Sequence, residues 1–173
     1  MINSEHERLR LEAVRRHNIL DTPPDGTYDA LAELAMRMLD CAAGVVSIVD
    51  SNRIWLKSHP GLDVDELERD DGLCASAVLQ DGPWIVENAA VDPRTLTNPL
   101  VAGELGLRFY AGIPLRTAEG FNLGMLAVVD TKPRSLTGQE LYNLKLIARV
   151  VVELLELRVA ARSEAAEARQ VNH

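Results

Sequence analysis

Residues 107–115 read Leu107-Arg108-Phe109-Tyr110-Ala111-Gly112-Ile113-Pro114-Leu115. The odd-numbered positions are all apolar, whereas the even-numbered positions carry polar, small or aromatic side chains. Because successive side chains of a strand point to opposite faces, this pattern predicts a strand with one core face and one more polar face. A loop centred on Gly120 then leads to residues 123–130, which are apolar on both faces. The two segments therefore predict a hairpin in the interior of a sheet.

Two further strand patterns lie upstream of this hairpin. Residues 44–49 are β-branched and apolar on both faces, and residues 53–58 follow them after an Asp-Ser-Asn turn, so the pair predicts another hairpin. We expect residues 59–65 to form a loop and residues 84–88 to form one more strand. Strands joined by hairpins are antiparallel neighbours, so an antiparallel sheet is expected.

Helical patterns flank the strands. A charged helix is predicted to end near His17, and an amphipathic one runs over residues 27–39. A short helix capped by Asp70 or Asp71 is predicted to reach residue 79. The pair Thr137 and Glu140 has the form of a capping box, which opens a helix to about residue 169.

These patterns describe an α/β (α+β) chain with an antiparallel sheet of five to six strands. We divide it into an N-terminal helix with a Pro-rich connector (residues 1–26), a core (27–136) and a long C-terminal helix (137–173). Residues 89–106, with two Asx-Pro pairs, are expected to form an irregular lid.

The composition limits the partners of the chain. Its net charge of −8, without a basic cluster, disfavours nucleic acids and anionic membrane surfaces. No apolar stretch approaches the ~20 residues that span a bilayer. The two cysteines and the absence of a secretory signal pattern favour a cytoplasmic protein without disulfides. The four histidines lack metal-ligand spacing, so no metal site is expected.

Several linked segments resemble the GAF domain family, in particular its bacterial signalling type. The likeness extends over about residues 5–157 and rests on the segments 19–24, 46–50, 53–58, 92–94, 98–101, 108–115 and 123–130. The resemblance implies a sheet order 2-1-5-4-3 for the five predicted strands. It also implies that the N- and C-terminal helices cover one face, and that a lid closes a ligand pocket on the other.

The resemblance implies a sensory or regulatory domain that binds an unknown small molecule and is not an enzyme. Bilin-binding relatives attach their chromophore through a lid cysteine, but residues 94–106 contain neither Cys nor His. Haem needs an axial ligand, and His59 lies in a polar loop, so no cofactor is expected. The Asn-Lys pair of cyclic-nucleotide-binding members is missing, which weakens that assignment.

Two alternatives remain at this point. The first is a thiol-based free methionine sulfoxide reductase, which the resemblance disfavours because it places Cys41 and Cys74 apart. The second is a dimerisation module without a ligand.

Cys74 is one candidate ligand contact, since it lies on the predicted pocket-closing helix near an N-terminus that favours a thiolate. It could equally be a small buried apolar residue. The other candidates are polar groups that the fold would direct toward one cavity, with Trp55 or Trp84 as an apolar wall. The full candidate set is Trp55, Cys74, Asp92, Arg94, Asn98 and Tyr110. Asp92 and Asn98 also suit turns that precede a proline.

The C-terminal helix carries an apolar stripe with heptad spacing, formed by Leu144, Ile147, Val151 and Leu154 and widened by Leu141, Ala148 and Leu155. A stripe this wide could serve both the domain and a partner. We therefore expect a parallel homodimer through this helix, with a frayed end after about Arg162, and a separate signalling partner. A surface helix packed only on its own sheet is the alternative.

Overall fold

The computed structural model describes residues 4–172. The expected hairpin consists of β5 (Phe109–Arg116) and β6 (Asn122–Asp130), which pair antiparallel with Ala111 opposite Val128. On the other side of β6 lies β1 (Ala43–Val49), followed by β2 (Arg53–Ser58). Short strands β3 (Glu66–Glu68) and β4 (Trp84–Val86) form the two edges.

The sheet order is β3-β2-β1-β6-β5-β4, with every pair antiparallel. The order expected for the five predicted strands is confirmed within it. The sequence pattern did not identify β3, which is three residues long and has two glutamates around one leucine. A charged three-residue edge strand carries too little alternation to stand out from a loop.

Three long helices cover one face of the sheet: α1 (Ser4–His17), α2 (Gly26–Met38) and α5 (Gly138–Val171). On the opposite face lie α3 (Leu73–Ala77), α4 (Pro99–Ala102) and the loops around them, residues 71–80 and 89–106, which we call the lid. No helix among residues 4–172 is long and apolar enough to cross a membrane.

The alternation of β5 separates the two core layers as expected. Phe109 and Ala111 are fully buried in the helix-covered layer, together with Leu144 and Val151 of α5. Tyr110, 2% exposed, points into the layer beneath the lid. Full burial of one aliphatic or aromatic side chain stabilises a fold by about 1.5–3 kcal/mol, so both layers contribute substantially.

The helix start predicted at Asp70 or Asp71 is wrong by one or two residues. Those aspartates belong to a 3-10 turn, Arg69–Asp71, and the N-cap of α3 is Gly72. A side chain at Gly72 would place its Cβ 2.3 Å from the Cδ1 atom of Ile54. The turn thus packs closely on β2, and a larger residue at the helix start would require the Ile54 side chain to move.

The capping box of α5 is present, with the Glu140 N–H donating to Thr137 Oγ1 at 3.1 Å and the Thr137 N–H donating to Glu140 Oε1 at 3.0 Å. The helix continues to Val171, past Arg162, and fraying of its end stays a prediction. Its last part is rich in Ala, Glu and Arg, which have high helix propensity.

Candidate functional site

A small cavity lies between the sheet and the lid. Its volume is about 70 Å³, and its walls are almost entirely apolar side chains, including Leu56 of β2, Leu73 of α3, Leu100 of α4 and Val129 of β6. A water molecule occupies about 30 Å³ of the liquid, so this space accommodates about two waters or a small alkyl group. A larger ligand would have to displace part of the lid.

Cys74 and Tyr110 form the polar part of the cavity wall. The Cys74 Sγ atom lies 3.2 Å from the Tyr110 hydroxyl oxygen, and both residues are buried. Burial raises the pKa of the Cys74 thiol, although hydrogen bonding to Ser47 and Tyr110 opposes the change. Burial also raises the pKa of Tyr110 well above its ordinary value. Both groups are therefore neutral near pH 7, and Cys74 is a poor nucleophile there.

Asn98 occupies a different position from the one we expected. Its Oδ1 atom accepts a hydrogen bond from the Leu100 N–H at 2.9 Å, which makes it the N-cap of α4. Among the described residues that line the cavity, Leu100 is present and Asn98 is not. The structure therefore places Tyr110 on the cavity wall and Asn98 outside it, where the capping bond holds its amide at the helix start.

Asp92 and Arg94 form a clamp at the β4 edge of the lid. The Arg94 Nη2 group donates to Asp92 Oδ2 at 2.8 Å and to the Ile85 carbonyl oxygen at 2.7 Å. Its guanidinium carbon lies 4.9 Å from the centre of the Trp84 ring. The hydrogen bonds from Arg94 lower the pKa of Asp92. Neither residue is among the described residues lining the cavity, so this clamp attaches the lid to the sheet edge.

Of the two tryptophans expected as a possible apolar wall, Trp55 does not line the lid cavity. Ile54 and Leu56 of β2 face the lid, so alternation turns Trp55 toward the helices, where it packs with Tyr28 of α2. Trp84, the other candidate, does face the lid layer. Its ring makes an edge contact with Tyr110, with 5.4 Å between the ring centres. Of the six candidates, the cavity wall therefore contains only Cys74 and Tyr110 within residues 4–172.

The GAF domain family model matches residues 23–155. This chain belongs to the GAF domain family. It is 38% identical over 149 residues to a cyclic di-GMP phosphodiesterase of Pseudomonas aeruginosa; the match covers 86% of this chain and 25% of that protein. The chain thus spans about a quarter of the length of this relative.

Solved structures show the same fold at low sequence identity. The GAF domain of Thermosynechococcus elongatus PixJ, in its blue-light-absorbing form, has a TM-score of 0.62 at 16% identity, with 100% of this chain and 99% of that chain covered. The free methionine-R-sulfoxide reductase of Neisseria meningitidis has a TM-score of 0.61 at 17% identity, with 95% and 96% covered. Identities this low establish the shared fold and leave function to the site itself.

The thiols of this GAF domain lie on opposite faces of its sheet. Cys41 belongs to the helix-covered layer and Cys74 to the lid layer, and both are free. Burial also raises the pKa of Cys41, against the opposing effect of Arg134. Formation of a disulfide requires Cα atoms within about 7 Å, which a sheet between the two residues does not allow. Among residues 4–172, no cluster of three metal-ligating side chains is present.

Proposed function

We propose that this GAF domain is a cytoplasmic regulatory module of bacterial signalling, which responds to a small ligand or a partner and passes its state along α5. The single observation that carries this proposal is the division of α5 into two parts. Leu144, Val151 and Leu155 are buried on the sheet, whereas every residue from 160 to 172 is exposed. A rigid helix anchored on the sheet and continuing past it is suited to transmit a displacement.

A chain of contacts supports coupling between the lid and α5. Tyr110 faces the lid, and its neighbour Phe109 faces the helices on the same strand. The Arg134 guanidinium carbon lies 5.4 Å from the centre of the Phe109 ring, and its Nη2 group donates to Glu140 Oε2 at 2.6 Å. Glu140 belongs to the first turn of α5. A shift of β5 caused by the lid would thus reach the capping box of α5.

The signalling context comes from the relative in Pseudomonas aeruginosa. Because that protein is a cyclic di-GMP phosphodiesterase, and this chain matches a quarter of it, we infer that this domain regulates cyclic di-GMP turnover or a related signalling step. The candidate ligand site under the lid takes a small apolar group, which the walls of the cavity favour. We expect no bilin or haem.

Two other functions have different support. The separation of Cys41 and Cys74 argues against a methionine sulfoxide reductase activity, because that reaction needs a second thiol to resolve the oxidised one. A dimerisation module without a ligand is favoured by the small cavity and by an apolar outer surface on α5. That surface consists of Tyr142, Leu146, Val150 and Leu157. Homodimerisation is compatible with the regulatory role, and we include it in the proposal.

Hydrogen–deuterium exchange tests the proposed coupling. Leu73→Ala enlarges the cavity beneath the lid, and Leu96→Ala is the matched control because Leu96 is 44% exposed. If the lid is coupled to α5, Leu73→Ala changes the exchange of the first turns of α5 more than that of α2, and Leu96→Ala changes neither. Equal changes in α5 and α2 would mean a general loss of stability and would refute specific coupling.

A further inference from the structure

A second and much larger depression lies beside β2 and the loop that follows it. This groove has a volume of about 660 Å³. The connector, Asp21 to Pro24, forms one wall, and the end of β2 with the following loop forms the other. Trp55 and Lys57 line it and share the helix-covered face of the sheet. The groove is therefore distinct from the cavity beneath the lid.

Lys57 is the central charged group of this groove. It is only 6% exposed, and its Nζ atom donates to Thr22 Oγ1 at 2.8 Å and to the Pro23 carbonyl oxygen at 2.6 Å. The nitrogen lies 5.4 Å from the centre of the Tyr28 ring and 5.9 Å from that of Trp55. Two aromatic rings and two neutral acceptors thus surround a cation.

No carboxylate forms an ion pair with Lys57 within residues 4–172. Burial lowers the pKa of Lys57, and the more distant charges of Asp25 and Asp29 oppose this change. A buried charge without a counter-ion is costly, and an ammonium has three N–H groups, of which the described bonds use two. The position therefore suits an anionic group that enters the groove.

Acidic groups also line the groove and restrict which anion fits. Asp29 accepts a hydrogen bond at 2.6 Å from the Oγ atom of Ser58, the residue that follows Lys57 in the chain. Asp65 lies 3.1 Å from the His59 Nε2 atom, and its side chain is 90% exposed. These carboxylates would repel a phosphate dianion, whereas they would attract an ammonium group. The groove thus presents one positive group beside negative ones, an arrangement that suits a ligand carrying both charges.

We propose that this groove binds a small zwitterion of the amino-acid type. Its carboxylate pairs with Lys57, its ammonium group lies toward Asp29, and its side chain contacts Trp55, Pro24 or Pro60. This site is independent of the proposed coupling between the lid and α5. The turn just before the connector also contacts α5, because the Arg158 Nη2 group donates to the carbonyl oxygen of Asn18 at 3.4 Å.

The two tryptophans allow the two sites to be monitored separately. Trp55 lines the groove, and Trp84 lies in the lid layer. A Trp84→Phe protein therefore reports on the groove, and a Trp55→Phe protein reports on the lid. Each protein is titrated with the twenty common L-amino acids singly, and with acetate, phosphate and ethylamine as charge controls.

The expected result is a saturable change in Trp55 emission with at least one amino acid, and no saturable change with acetate, phosphate or ethylamine. Lys57→Met should weaken this binding about tenfold to hundredfold, since a hydrogen bond to a charged group is lost. Lys132→Met, an exposed position, should leave it unchanged. If the Lys57→Met protein does not fold, the isosteric Asp29→Asn substitution should weaken amino-acid binding instead.

Three outcomes would overturn the proposal: no saturable response of Trp55, binding that survives both Lys57→Met and Asp29→Asn, or a response of Trp84 alone. The last outcome would place the ligand under the lid and support the proposed regulatory function without the groove. A response of Trp55 with no coupling between the lid and α5 would support amino-acid binding in the groove and refute the proposed transmission along α5. The two proposals therefore fail separately.

Discussion

The Cys74 sulfur and the Tyr110 hydroxyl oxygen lie 3.2 Å apart in the layer between the sheet and the lid. This contact joins α3 to β5, the strand on whose other face α5 packs. Either atom can donate the hydrogen bond, because both groups are neutral at pH 7. The pair thus links the part of the lid that closes the cavity to the strand that supports α5.

Removing the hydroxyl group should weaken the fold to a measurable extent. Tyr110→Phe keeps the ring and its contact with Trp84 but leaves the buried thiol without this partner. We expect a loss of about 1 kcal/mol in the free energy of unfolding, the usual contribution of one such bond. Urea titration measures this loss, and Thr97→Val, which removes an exposed hydroxyl group, is the control. Equal stability of the two variants would contradict the role of the pair.

The thiols should be unreactive in the folded protein. Burial raises the pKa of both Cys41 and Cys74, so few thiolates exist at neutral pH. With Ellman's reagent we expect slow reaction in buffer and rapid titration of two thiols in urea. Methionine sulfoxide should consume neither thiol. Rapid loss of one or two thiols with that compound would instead establish the reductase activity.

Much of the fold could be predicted from the sequence because it depends on alternation and on local capping. The period of two in β5 placed Phe109 and Tyr110 on the correct faces, and the Thr137–Glu140 pair marked the start of α5. The same pattern does not locate Trp55, because residues 54–56 of β2 are all apolar and alternation alone does not indicate which face meets the lid. The tertiary structure places Ile54 and Leu56 in the lid layer and Trp55 in the helix-covered layer.

The candidate site was harder to predict because polar residues near a lid also form turns. Asn98 and Asp92 each have an oxygen that accepts a hydrogen bond from a backbone N–H two residues later, and no sequence pattern separates that role from ligand contact. The groove around Lys57 was missed for a different reason. Its walls come from the connector and from β2, which are about 30 residues apart, and only the tertiary structure brings Thr22 and Pro23 to Lys57.

An acid-sensitive contact fastens α1 to the β3 edge of the domain. Glu7 accepts from Arg10 Nε at 2.9 Å and from Arg69 Nη1 at 2.6 Å. Burial raises the pKa of Glu7, but the hydrogen bonds from Arg10 and Arg69 outweigh it and lower the pKa to about 2. Because the folded-state pKa lies below the unfolded one, the contribution to stability is present above about pH 4.5 and is lost as the pH falls toward 2.

Glu7→Gln should therefore destabilise the protein at neutral pH by up to about 2 kcal/mol, allowing for partial solvent exposure. The difference from the wild type should shrink between pH 4.5 and pH 2, as the wild-type carboxylate takes up a proton. Urea unfolding of both proteins over this pH range measures the difference in their free energies of unfolding. Glu164→Gln, at an exposed position of α5, is the control and should show little effect at any pH. A constant difference across the range would contradict the ion-pair explanation.

The purified protein should have no absorption band in the visible range. Residues 94–106 lack the cysteine that bilin-binding relatives use, and His59, the candidate axial ligand, contacts the Leu62 carbonyl oxygen and Asp65 through its two ring nitrogens. An absorption spectrum after gel filtration tests this expectation. A visible band that elutes with the protein would contradict it and would assign a chromophore to the domain.

The interface of the proposed homodimer must differ from the stripe that the sequence suggested. Leu144, Ile147 and Val151 are buried on the domain's own sheet, so a charge at Val151 would disrupt the core rather than test association.

The outer side of α5 instead exposes Tyr142, Leu146, Val150 and Leu157, at 61%, 44%, 43% and 64%. Their spacings of four, four and seven residues place them along one side of the helix. We therefore expect two copies to pack through this side, against the repulsion of their net charge of −8 each. Leu146→Glu should convert a species of twice the 19.0 kDa chain mass into the monomer in sedimentation equilibrium. Lys145→Glu introduces an acid at an exposed neighbouring position away from this side and should leave the dimer intact. A wild-type protein that sediments as a 19.0 kDa species at tens of micromolar would refute the homodimer, since an interface that serves signalling should be populated at about that concentration.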